Sequence, residues 1–515
     1  MIIFDEDTDA RVFDVEAGTM TAEHLQKSLD TLRGTRTKVL IVGVTNAKAN
    51  FPSRVVESYL DGFDARLGIH QSALRCDTKP WPYRRCANFQ VLFSQGIDSN
   101  AYFLDNARTM GVSPWIGVRM NDIHNGHDPD SYLHSDFWRQ HPELWCASLD
   151  YPCENTLDYS HEVVRERMLA FLVEVLERYH ADGLFLDWMR WPSHVPFGKG
   201  EERAPLLTKF MRQVRNAVDA EAKRRGHPIK LISRVPLTPE NALKRGLDAV
   251  LWAREGLLDM LIIGNFGSGM EFDAPVELWH QKIGNAAFPI AVSIENSYST
   301  GMHLTPSQKT TPEDARGVAA AAHHRGACGV HLFNFMRYLR RPELKDAAEL
   351  FLNDPASKED LLGKTRRFRL SWDDSNVRLS DLDQCFRIPG YFEKWNAARI
   401  EAGLPYPSVL PYHCKSGEYA LFRLYTAWVP EAGACSYVQL QTGEEVQNLK
   451  IWVNGAELET EKSEAGLFYC KIPAGILVDG WTEVQVSPQS DAVFTDVSVW
   501  ICHEQPEFLQ KSVQT

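Results

Sequence analysis

The stretch DGLFLDWMR, residues 182–190, places a carboxylate at the far end of a short apolar run. Side chains alternate between the two faces of a β-strand, so Leu184 and Leu186 share one face, and Phe185 and Asp187 share the other. In a barrel of parallel strands, one face meets the surrounding helices and the other meets the barrel interior. If the leucines face the helices, Asp187 points inward at the carboxyl end of the strand, where barrel enzymes build their active sites.

Short apolar runs like this one recur along the chain and alternate with longer amphipathic segments. Eight runs are predicted to be strands: KVLIVGVTN (38–46), ANFQVLFSQG (87–96), SPWIGVRMND (113–122), DGLFLDWMR (182–190), IKLISRVPL (229–237), LDMLIIGNF (258–266), FPIAVSIEN (288–296) and GVHLFNFMR (329–337). Apolar residues at helical spacing mark the segments between them, such as HEVVRERMLAFLVEVLERYH (161–180). Strands that alternate with helices predict parallel βαβ units, and eight such units fit a closed (β/α)8 TIM barrel. The alternative, an open doubly wound sheet, usually carries a Gly-rich phosphate loop after its first strand, and no such loop follows residue 46.

The C-terminal part of the chain has a different hydrophobic pattern. Short alternating segments such as YALFRLYTAWV (419–429) are separated by turn signals such as Asn454-Gly455. This pattern predicts an antiparallel β-sandwich. We therefore expect the barrel over residues 1–340, a helical connector over 341–405 and a small, jelly-roll-like β-sandwich over 406–515. The sandwich is expected to brace the barrel, and carbohydrate binding is the alternative role.

Several predicted strands end in polar side chains. Because the carboxyl ends of barrel strands meet on one face, we expect these side chains to line one substrate site. Arginine offers a planar fork of donors for hydroxyl or carboxylate groups. The candidate substrate-binding residues are Arg119, Asn121, Asp122, His124, Arg190, Trp191, Arg234, Asn265 and Asn334. A purely structural explanation of Asp187 is a buried ion pair with Arg190 or another strand-end arginine.

Two inward-facing acids are candidates for catalysis. In FPIAVSIEN, Glu295 shares its parity with Ala291 and Ser293, and these small residues leave room for a sugar ring. Glycoside hydrolysis usually needs two carboxyl groups that flank the bond, one protonated and one ionised. Asp187 and Glu295 are therefore the predicted catalytic pair, with Asp122 in reserve, and either member is a candidate for the acid. Retaining hydrolases of one large barrel clan carry their acids on the same two strands, but both are glutamates there.

Three segments carry a resemblance to a known group of proteins. TLDYSHEVVRERMLAFLVEVLERYHADGLFLDWMRWP (156–192), WIGVRMNDIH (115–124) and GVHLFNF (329–335) resemble the family-10-like glycosyl hydrolases, a set of bacterial barrel proteins. The resemblance covers most of residues 38–340. It implies a (β/α)8 barrel with a trailing β-sandwich and a glycoside as substrate, and it does not specify the sugar.

The segment DGLFLDWM is also similar to the strand DGxDxDxE of the family 18 chitinases. Met189 stands where that family has its catalytic glutamate, and Phe185 replaces one of its aspartates. The sequence therefore does not support substrate-assisted chitinase chemistry.

The segment between the third and fourth predicted strands, about residues 121–160, is long and rich in His, Trp, Asp and Tyr. Long loops after barrel strands form the walls of active sites. Four tryptophans are candidates for stacking on a sugar ring, although for each one packing of the loop is the favoured role: Trp138, Trp145, Trp188 and Trp191. His124, His127 and Asp128 lack the spacing of a zinc site, so no metal and no other cofactor is expected.

Composition narrows the class of partner and the compartment. The formal net charge of -13 argues against a nucleic-acid or membrane-surface partner. The acidic opening MIIFDEDTDARVF does not resemble a signal peptide, and the ten cysteines lack C-x-x-C spacing. We expect a cytoplasmic bacterial enzyme of carbohydrate metabolism, although removal of a signal would leave the same sequence. The oligomeric state stays open, with a homo-oligomer among the alternatives.

Three functions fit these features. A glycoside hydrolase that acts on an oligo- or polysaccharide with two carboxylates is favoured. A carbohydrate lyase or other sugar-modifying barrel enzyme is the second, since Tyr, His and Arg residues are available as base and charge neutraliser. A non-catalytic sugar-binding barrel is the third.

Overall fold

The structure is a computed structural model of the chain. It describes residues 1–7, 12, 14–45, 47–67, 80–124, 126, 128–146, 155–196, 198–265, 270–298, 308–336, 345–370, 410, 412–443, 446, 448–462 and 466–504. These residues form a closed barrel of parallel strands, followed by two antiparallel sheets. The predicted combination of a TIM barrel and a β-sandwich is confirmed.

Eight parallel strands close the barrel. In chain order they are β1 (Ile2–Asp7), β2 (Thr37–Gly43), β3 (Ser113–Arg119), β4 (Gly183–Asp187), β5 (Lys230–Val235), β6 (Met260–Ile263), β7 (Ile290–Glu295) and, after the short antiparallel pair β8 (Ser297–Tyr298) and β9 (Gln308–Lys309), β10 (Gly329–Phe333). Around the barrel the order is β1-β10-β7-β6-β5-β4-β3-β2. Each barrel strand therefore lies beside the barrel strand that precedes it in the chain, and β10 closes the ring onto β1.

One of the eight predicted strands is wrong. ANFQVLFSQG (87–96) was expected to be the second strand, but most of it belongs to the helix Pro80–Ser94. Within this helix Cys86, Phe89 and Leu92 are buried, which is helical rather than alternating spacing. The barrel instead takes its first strand from Ile2–Asp7, ahead of the predicted start at residue 38. This run holds only three apolar residues before its acids, so it lacks the long hydrophobic signal of the other strands.

Helices cover the outside of the barrel and continue beyond it. They are α1 (Ala22–Asp30), α2 (Pro80–Ser94), α3 (Ser99–Thr109), α4 (Asp136–Gln140), α5 (Glu162–Arg178), α6 (Gly200–Arg225), α7 (Pro239–Lys244), α8 (Ala249–Arg254), α9 (Val276–Ile283), α10 (Pro312–His324), α11 (Lys345–Asn353) and α12 (Lys358–Leu361). Helix α10 starts as its sequence predicts: Thr311 caps it by accepting from the Asp314 backbone N–H, and Pro312 takes the first position. Within the described ranges, no helix combines the length and the apolar character needed to cross a membrane.

The two faces of β4 meet different surroundings, as the alternation of its side chains predicts. Leu184 and Leu186 pack into the large core that the helices share. Phe185 belongs instead to the cluster that fills the barrel interior, which comprises Ile3, Val39, Ile41, Trp115, Phe185, Ile232, Met260, Ile262 and Ala291. Asp187 has the parity of Phe185 and therefore faces the barrel axis.

The C-terminal strands form two antiparallel sheets. The first has the order β11-β20-β14-β18-β17, with β12 also paired to β20, and the second has the order β13-β19-β15-β16. The bounds are β11 (Arg366–Arg369), β12 (Tyr412–Cys414), β13 (Ala420–Ala427), β14 (Cys435–Thr442), β15 (Leu449–Val453), β16 (Ala456–Leu458), β17 (Glu461–Lys462), β18 (Leu467–Ile472), β19 (Gly480–Pro488) and β20 (Ala492–Cys502). In the predicted connector, residues 345–370 contain α11, α12 and the first strand of the sandwich, and residues 371–405 lie outside the described residues.

Buried charges join the barrel to the sandwich. Arg369 on β11 contacts Asp314 of helix α10 at 3.0 Å and Asp496 of β20 at 2.7 Å. Arg367 adds a second bond to Asp496 at 2.8 Å. Gly317 lets α10 approach β11 closely, because a Cβ there would lie 1.9 Å from the Arg367 carbonyl oxygen. The sandwich is therefore anchored on the helix that precedes the last barrel strand.

Candidate active site

Asp187 is the last residue of β4, and its side chain is buried at the carboxyl end of the barrel. The backbone N–H of Met189 donates to its Oδ1 at 2.9 Å. Its Oδ2 lies 3.7 Å from Nη1 of Arg234. The structural alternative for Asp187, an ion pair with a strand-end arginine, is thus present, and the arginine comes from the neighbouring strand β5.

Glu295 is the last residue of β7 and is also buried. Nη2 of Arg234 donates to its Oε1 at 2.8 Å, and Nδ2 of Asn334 donates to its Oε2 at 3.3 Å. Burial raises the pKa of Glu295 to about 7, although the positive charge of Arg234 opposes this shift. Near neutral pH this carboxyl group therefore exchanges a proton, as a general acid or base must.

Arg234 links the two acids. It is buried on β5, and its two Nη atoms contact Asp187 and Glu295. Its guanidinium also lies 4.1 Å from the ring centroid of Phe333 and donates to the Asn265 carbonyl oxygen at 3.3 Å. The two carboxyl groups therefore contact one shared guanidinium. We name Asp187, Arg234, Glu295 and Asn334 the acid-pair cluster.

A second cluster surrounds Asp122, directly after β3. Nη1 of Arg119 donates to Asp122 Oδ2 at 2.8 Å, and the indole N–H of Trp191 donates to Asp122 Oδ1 at 3.2 Å. His124 also hydrogen-bonds Asp122, and its Nε2 lies 2.6 Å from Nη2 of Arg190. Burial raises the pKa of the Asp122 carboxyl, but the interactions with His124, Arg119 and Arg190 outweigh it and hold the pKa well below its usual range. Five predicted binding residues thus form one unit, the Asp122 cluster.

Asn121 and Asn265 belong to neither of these two clusters. The Asn121 amide donates to the carbonyl oxygens of Leu157 and Ser193 and accepts from the Leu157 N–H, so it ties the long loop to the segment after β4. Asn265 is buried, and its backbone contacts Arg234. Asn334, in contrast, belongs to the acid-pair cluster and has a left-handed backbone with φ 62°. This conformation lets its side chain reach Glu295 while its carbonyl oxygen accepts from Asn296.

Most of the tryptophans of the predicted aromatic set are packed inside the protein. Trp138 stacks between His134 and Trp145, with ring centroids 4.1 Å and 4.4 Å away. Trp188 faces the helices and is fully buried against Trp252 and neighbouring rings. The indole N–H of Trp191 donates to Asp122, and its ring lies edge-on to that of His124.

A small cavity lies at the carboxyl end of β1, β2, β3 and β4. Its polar wall consists of Asp5, Thr45, Arg119 and Asp187, and Phe333 adds an aromatic ring. Its apolar part is formed by Ile41, Gly43, Gly117, Val118 and Phe185. Of the acid pair, Asp187 lines this cavity, and Glu295 lies behind it on the other side of the Arg234 guanidinium.

Sequence reasoning missed Asp5, Thr45, His331 and Phe333. Asp5 lies on the strand that was not predicted, and Thr45 lies near the end of the first predicted strand, where no charged residue drew attention to it. His331 and Phe333 lie in GVHLFNF and have the opposite parity to Val330 and Leu332, which pack into the core shared with the helices. Inward parity was therefore an available signal for both residues.

The residues considered for a metal do not converge in the described part of the chain. His124 is engaged with Asp122 and Arg190, Asp128 is exposed, and His127 lies outside the described residues. Across the described ranges, no group of three His, Cys, Asp or Glu side chains is arranged to hold a metal ion.

Comparison with known proteins finds similarity in fold only. No model of a protein family matches the sequence, and no curated protein matches it. The PgaB (BpsB) glycoside hydrolase domain from Bordetella bronchiseptica is 10% identical, with 68% of this chain and 98% of that domain covered and a TM-score of 0.40. Chitinase ChiA74 from Bacillus thuringiensis is 10% identical, with 96% and 99% covered and a TM-score of 0.35. A family GH18 chitinase from Chromobacterium violaceum is 9% identical, with 95% and 88% covered and a TM-score of 0.35. Scores this low carry no argument about function, and the resemblance to family-10-like hydrolases stays a prediction.

Proposed function

We propose that this protein is a glycoside hydrolase that cleaves a glycosidic bond in an oligo- or polysaccharide, with Asp187 and Glu295 as its carboxyl pair. Two inward-facing carboxyl groups at the barrel mouth share the guanidinium of Arg234, and this arrangement supports the proposal. Barrel enzymes place their chemistry at this end of the strands.

The two acids have different surroundings, which suggests different roles. Burial raises the pKa of Glu295 to about 7, so at neutral pH a large fraction of it carries a proton. Glu295 is therefore assigned as the acid that protonates the leaving oxygen. Asp187 lies on the cavity wall beside Arg234 and is assigned as the carboxylate that attacks the anomeric carbon, or activates a water, and stabilises the oxocarbenium-like transition state.

The Asp122 cluster is assigned to substrate binding. Arg119 is paired in register with Asp187 across β3 and β4, so its guanidinium lies on the cavity wall next to the acid. Asp122 accepts hydrogen bonds from Arg119 and Trp191 and is bonded to His124, which restricts the rotamers of these side chains. A pre-oriented arginine binds a substrate hydroxyl with less loss of side-chain entropy than a mobile one.

The test is turnover of a panel of chromogenic 4-nitrophenyl glycosides by the wild type, Asp187→Asn and Glu295→Gln. Each variant should lose at least about a hundredfold in rate, the lower end for positioned acid–base catalysis. Because Asp182 directly precedes β4, at the end of the strand opposite Asp187, and pairs with Arg108, Asp182→Asn is the matched control and should retain activity. Thermal unfolding of each variant separates lost catalysis from lost folding.

Other results would contradict the assignment of the acid pair or identify one of the alternative functions. Near-normal turnover in either site variant removes that residue from the pair. A product that absorbs in the ultraviolet through a new carbon–carbon double bond identifies a lyase. Sugar binding without cleavage of any glycoside identifies a non-catalytic sugar-binding barrel.

A further inference from the structure

The segment between strand β7 and helix α10 begins at the proposed acid and returns to its backbone. Glu295 ends β7, the strand pair β8–β9 follows, and Thr310 comes directly after β9. Oγ1 of Thr310 donates to the Glu295 carbonyl oxygen at 2.6 Å, and the Thr310 N–H donates to the Asn296 carbonyl oxygen at 3.0 Å. We name residues 296–298 and 308–311 the β7–α10 connection. Its two ends therefore meet at the backbone of Glu295.

The same connection also reaches the carboxyl group of Glu295. Nδ2 of Asn296 donates to the Asn334 carbonyl oxygen at 2.8 Å. Nδ2 of Asn334 in turn donates to Oε2 of Glu295 at 3.3 Å. A displacement of the connection would therefore move both the backbone and the hydrogen-bond partner of this side chain.

The sandwich contacts one end of the connection through an arginine. The guanidinium of Arg369, on β11, lies 4.4 Å from the ring centroid of Tyr298, the last residue of β8. Tyr298 is buried, and its hydroxyl donates to Oε1 of Gln308 at 3.0 Å, so its side chain also joins β8 to β9. A guanidinium is attracted to the face of an aromatic ring, and the attraction is stronger where both groups are removed from water.

A second path from Arg369 reaches the other end of the connection. Its Nε donates to Oδ1 of Asp314 at 3.0 Å, and Oδ2 of Asp314 accepts from the N–H of Thr311 at 3.2 Å. Thr311 directly follows Thr310, which holds the carbonyl oxygen of the proposed acid. Arg369 also donates to Asp496 of β20 at 2.7 Å, so the guanidinium that contacts both ends is itself fixed in the sandwich.

We propose that Arg369 of the sandwich is a positioning residue for Glu295. It acts through Tyr298 and Asp314, which hold the two ends of the β7–α10 connection. The catalytic part of this inference rests on the proposed function of Glu295. The sandwich is then part of the catalytic unit, beyond the bracing role expected from the sequence, because a misplacement of about 1 Å can slow a reaction by about a hundredfold.

Variants of Tyr298 test the contact without disturbing the ion pairs of Arg369. Tyr298→Leu removes the aromatic ring and leaves Asp314 and Asp496 paired, so it keeps the test available if Arg369→Gln fails to fold. Tyr298→Phe keeps the ring and loses only the hydroxyl bond to Gln308. It should therefore restore most of what Tyr298→Leu loses.

Arg366→Gln is the matched control for Arg369→Gln. Arg366 lies on the same strand β11 and is as deeply buried as Arg369. It is paired with Glu431 and donates to the Leu361 carbonyl oxygen, and neither partner belongs to the connection. The control therefore removes a buried arginine from the sandwich without touching the path to Glu295.

Hydrogen exchange of backbone amides, measured by mass spectrometry on the full chain, reports on the connection without requiring turnover. Amides of residues 296–298 and 308–311 should exchange about tenfold faster in Tyr298→Leu and in Arg369→Gln, the order expected for loss of a buried cation–π contact. Amides of β4 should exchange as in the wild type. In Arg366→Gln, the connection should also exchange as in the wild type.

Turnover of a hydrolysed glycoside reports on Glu295 itself. Tyr298→Leu should lower kcat at least about tenfold and leave KM nearly unchanged, because a misplaced acid weakens the reaction more than binding. The pH above which kcat/KM falls should shift from about 7 to a lower value, because a displaced Glu295 is less completely removed from water. Arg366→Gln should change neither kcat nor the pH profile.

The outcomes separate this inference from the proposed function. Unchanged exchange of the connection in both Tyr298→Leu and Arg369→Gln would overturn the role of Arg369. Equal effects of Arg366→Gln, or a wild-type kcat and pH profile in Tyr298→Leu, would overturn it as well. Faster exchange of the connection, with no cleavage of any glycoside by the wild type, would leave the anchoring by Arg369 in place and overturn the hydrolase assignment.

Discussion

At Glu295 two opposing effects set the protonation state of one side chain. Removal from water favours the neutral carboxyl group, and Arg234 at 2.8 Å favours the carboxylate. Burial dominates, and the pKa rises to about 7. The same residue therefore links the proposed chemistry to the stability of the fold, because a group whose pKa differs between the folded and unfolded states makes stability depend on pH.

The first prediction concerns the pH dependence of activity. If Glu295 is the proton donor, kcat/KM for a hydrolysed glycoside should fall as the pH rises above about 7, because the acid then loses its proton. A pH–rate profile from pH 4 to pH 9 checks this. A rate that stays level up to pH 9 would contradict the assignment of Glu295 as the acid.

The second prediction concerns stability. A pKa that is raised on folding contributes stability that is complete below the unfolded value, 4.5, and is lost as the pH rises through about 7. Glu295→Gln cannot ionise, so its free energy of unfolding relative to the wild type should improve between pH 5 and pH 8. Urea denaturation at both pH values measures this, with Asp182→Asn as control. Parallel changes in Glu295→Gln and the wild type would contradict the prediction.

At the scale of elements, the contact between helix α10 and strand β11 depends on one glycine. A Cβ on Gly317 would lie 1.9 Å from the Arg367 carbonyl oxygen, and backbone cannot move aside as a flexible side chain can. The close approach is also what allows Asp314, on the same helix, to reach Arg369.

The third prediction follows from this contact. Gly317→Ala should destabilise the protein by about 1–3 kcal/mol or more, the range for overpacking, despite the higher helix propensity of alanine. Gly443→Ala is the control, because a Cβ on Gly443 would lie 3.8 Å from its nearest neighbour, Cγ2 of Thr495, which is an ordinary van der Waals contact. Denaturant midpoints compare the two. A Gly317→Ala variant as stable as the control would show that α10 and β11 do not pack this tightly.

At the scale of the whole molecule, buried charges couple the barrel to the sandwich. Arg369 is contacted by Asp314 from the barrel side and Asp496 from the sandwich side, and all three are buried. Removing one member of a buried ion network leaves the other charges uncompensated, which costs far more than the loss of an exposed pair.

The fourth prediction compares these two cases. Arg369→Ala should lose about 3–5 kcal/mol of unfolding free energy, because Asp314 and Asp496 lose a partner that they share. Arg423→Ala, which breaks the half-exposed pair with Glu483, should lose at most about 1 kcal/mol. Urea denaturation followed by tryptophan fluorescence measures both. Equal losses would show that the junction does not depend on the buried network.

The sequence alone determined the features that arise from local periodicity. Alternating side chains in DGLFLDWMR and FPIAVSIEN predicted that Asp187 and Glu295 face inward, and the structure places both at the barrel mouth. Parity is a property of the strand itself, so it needs no knowledge of distant residues. The closed barrel and the sandwich followed from the same signals.

Only the tertiary structure decided which residues share a site. Asp5 and His331 are 326 residues apart in the chain and meet because β10 closes the barrel onto β1. The strand that carries Asp5 has only three apolar residues before its acids and was not recognised alone. It is a strand because β2 and β10 pair with it on both sides. The contacts of Arg234 with two acids likewise depend on which strands are neighbours. Residues 87–94 form a helix whose buried side chains pack against the barrel, which the local sequence did not reveal. The local sequence shows the hydrophobic periodicity of a helix or strand, whereas the closed sheet determines which residues each side chain contacts and how deeply it is buried.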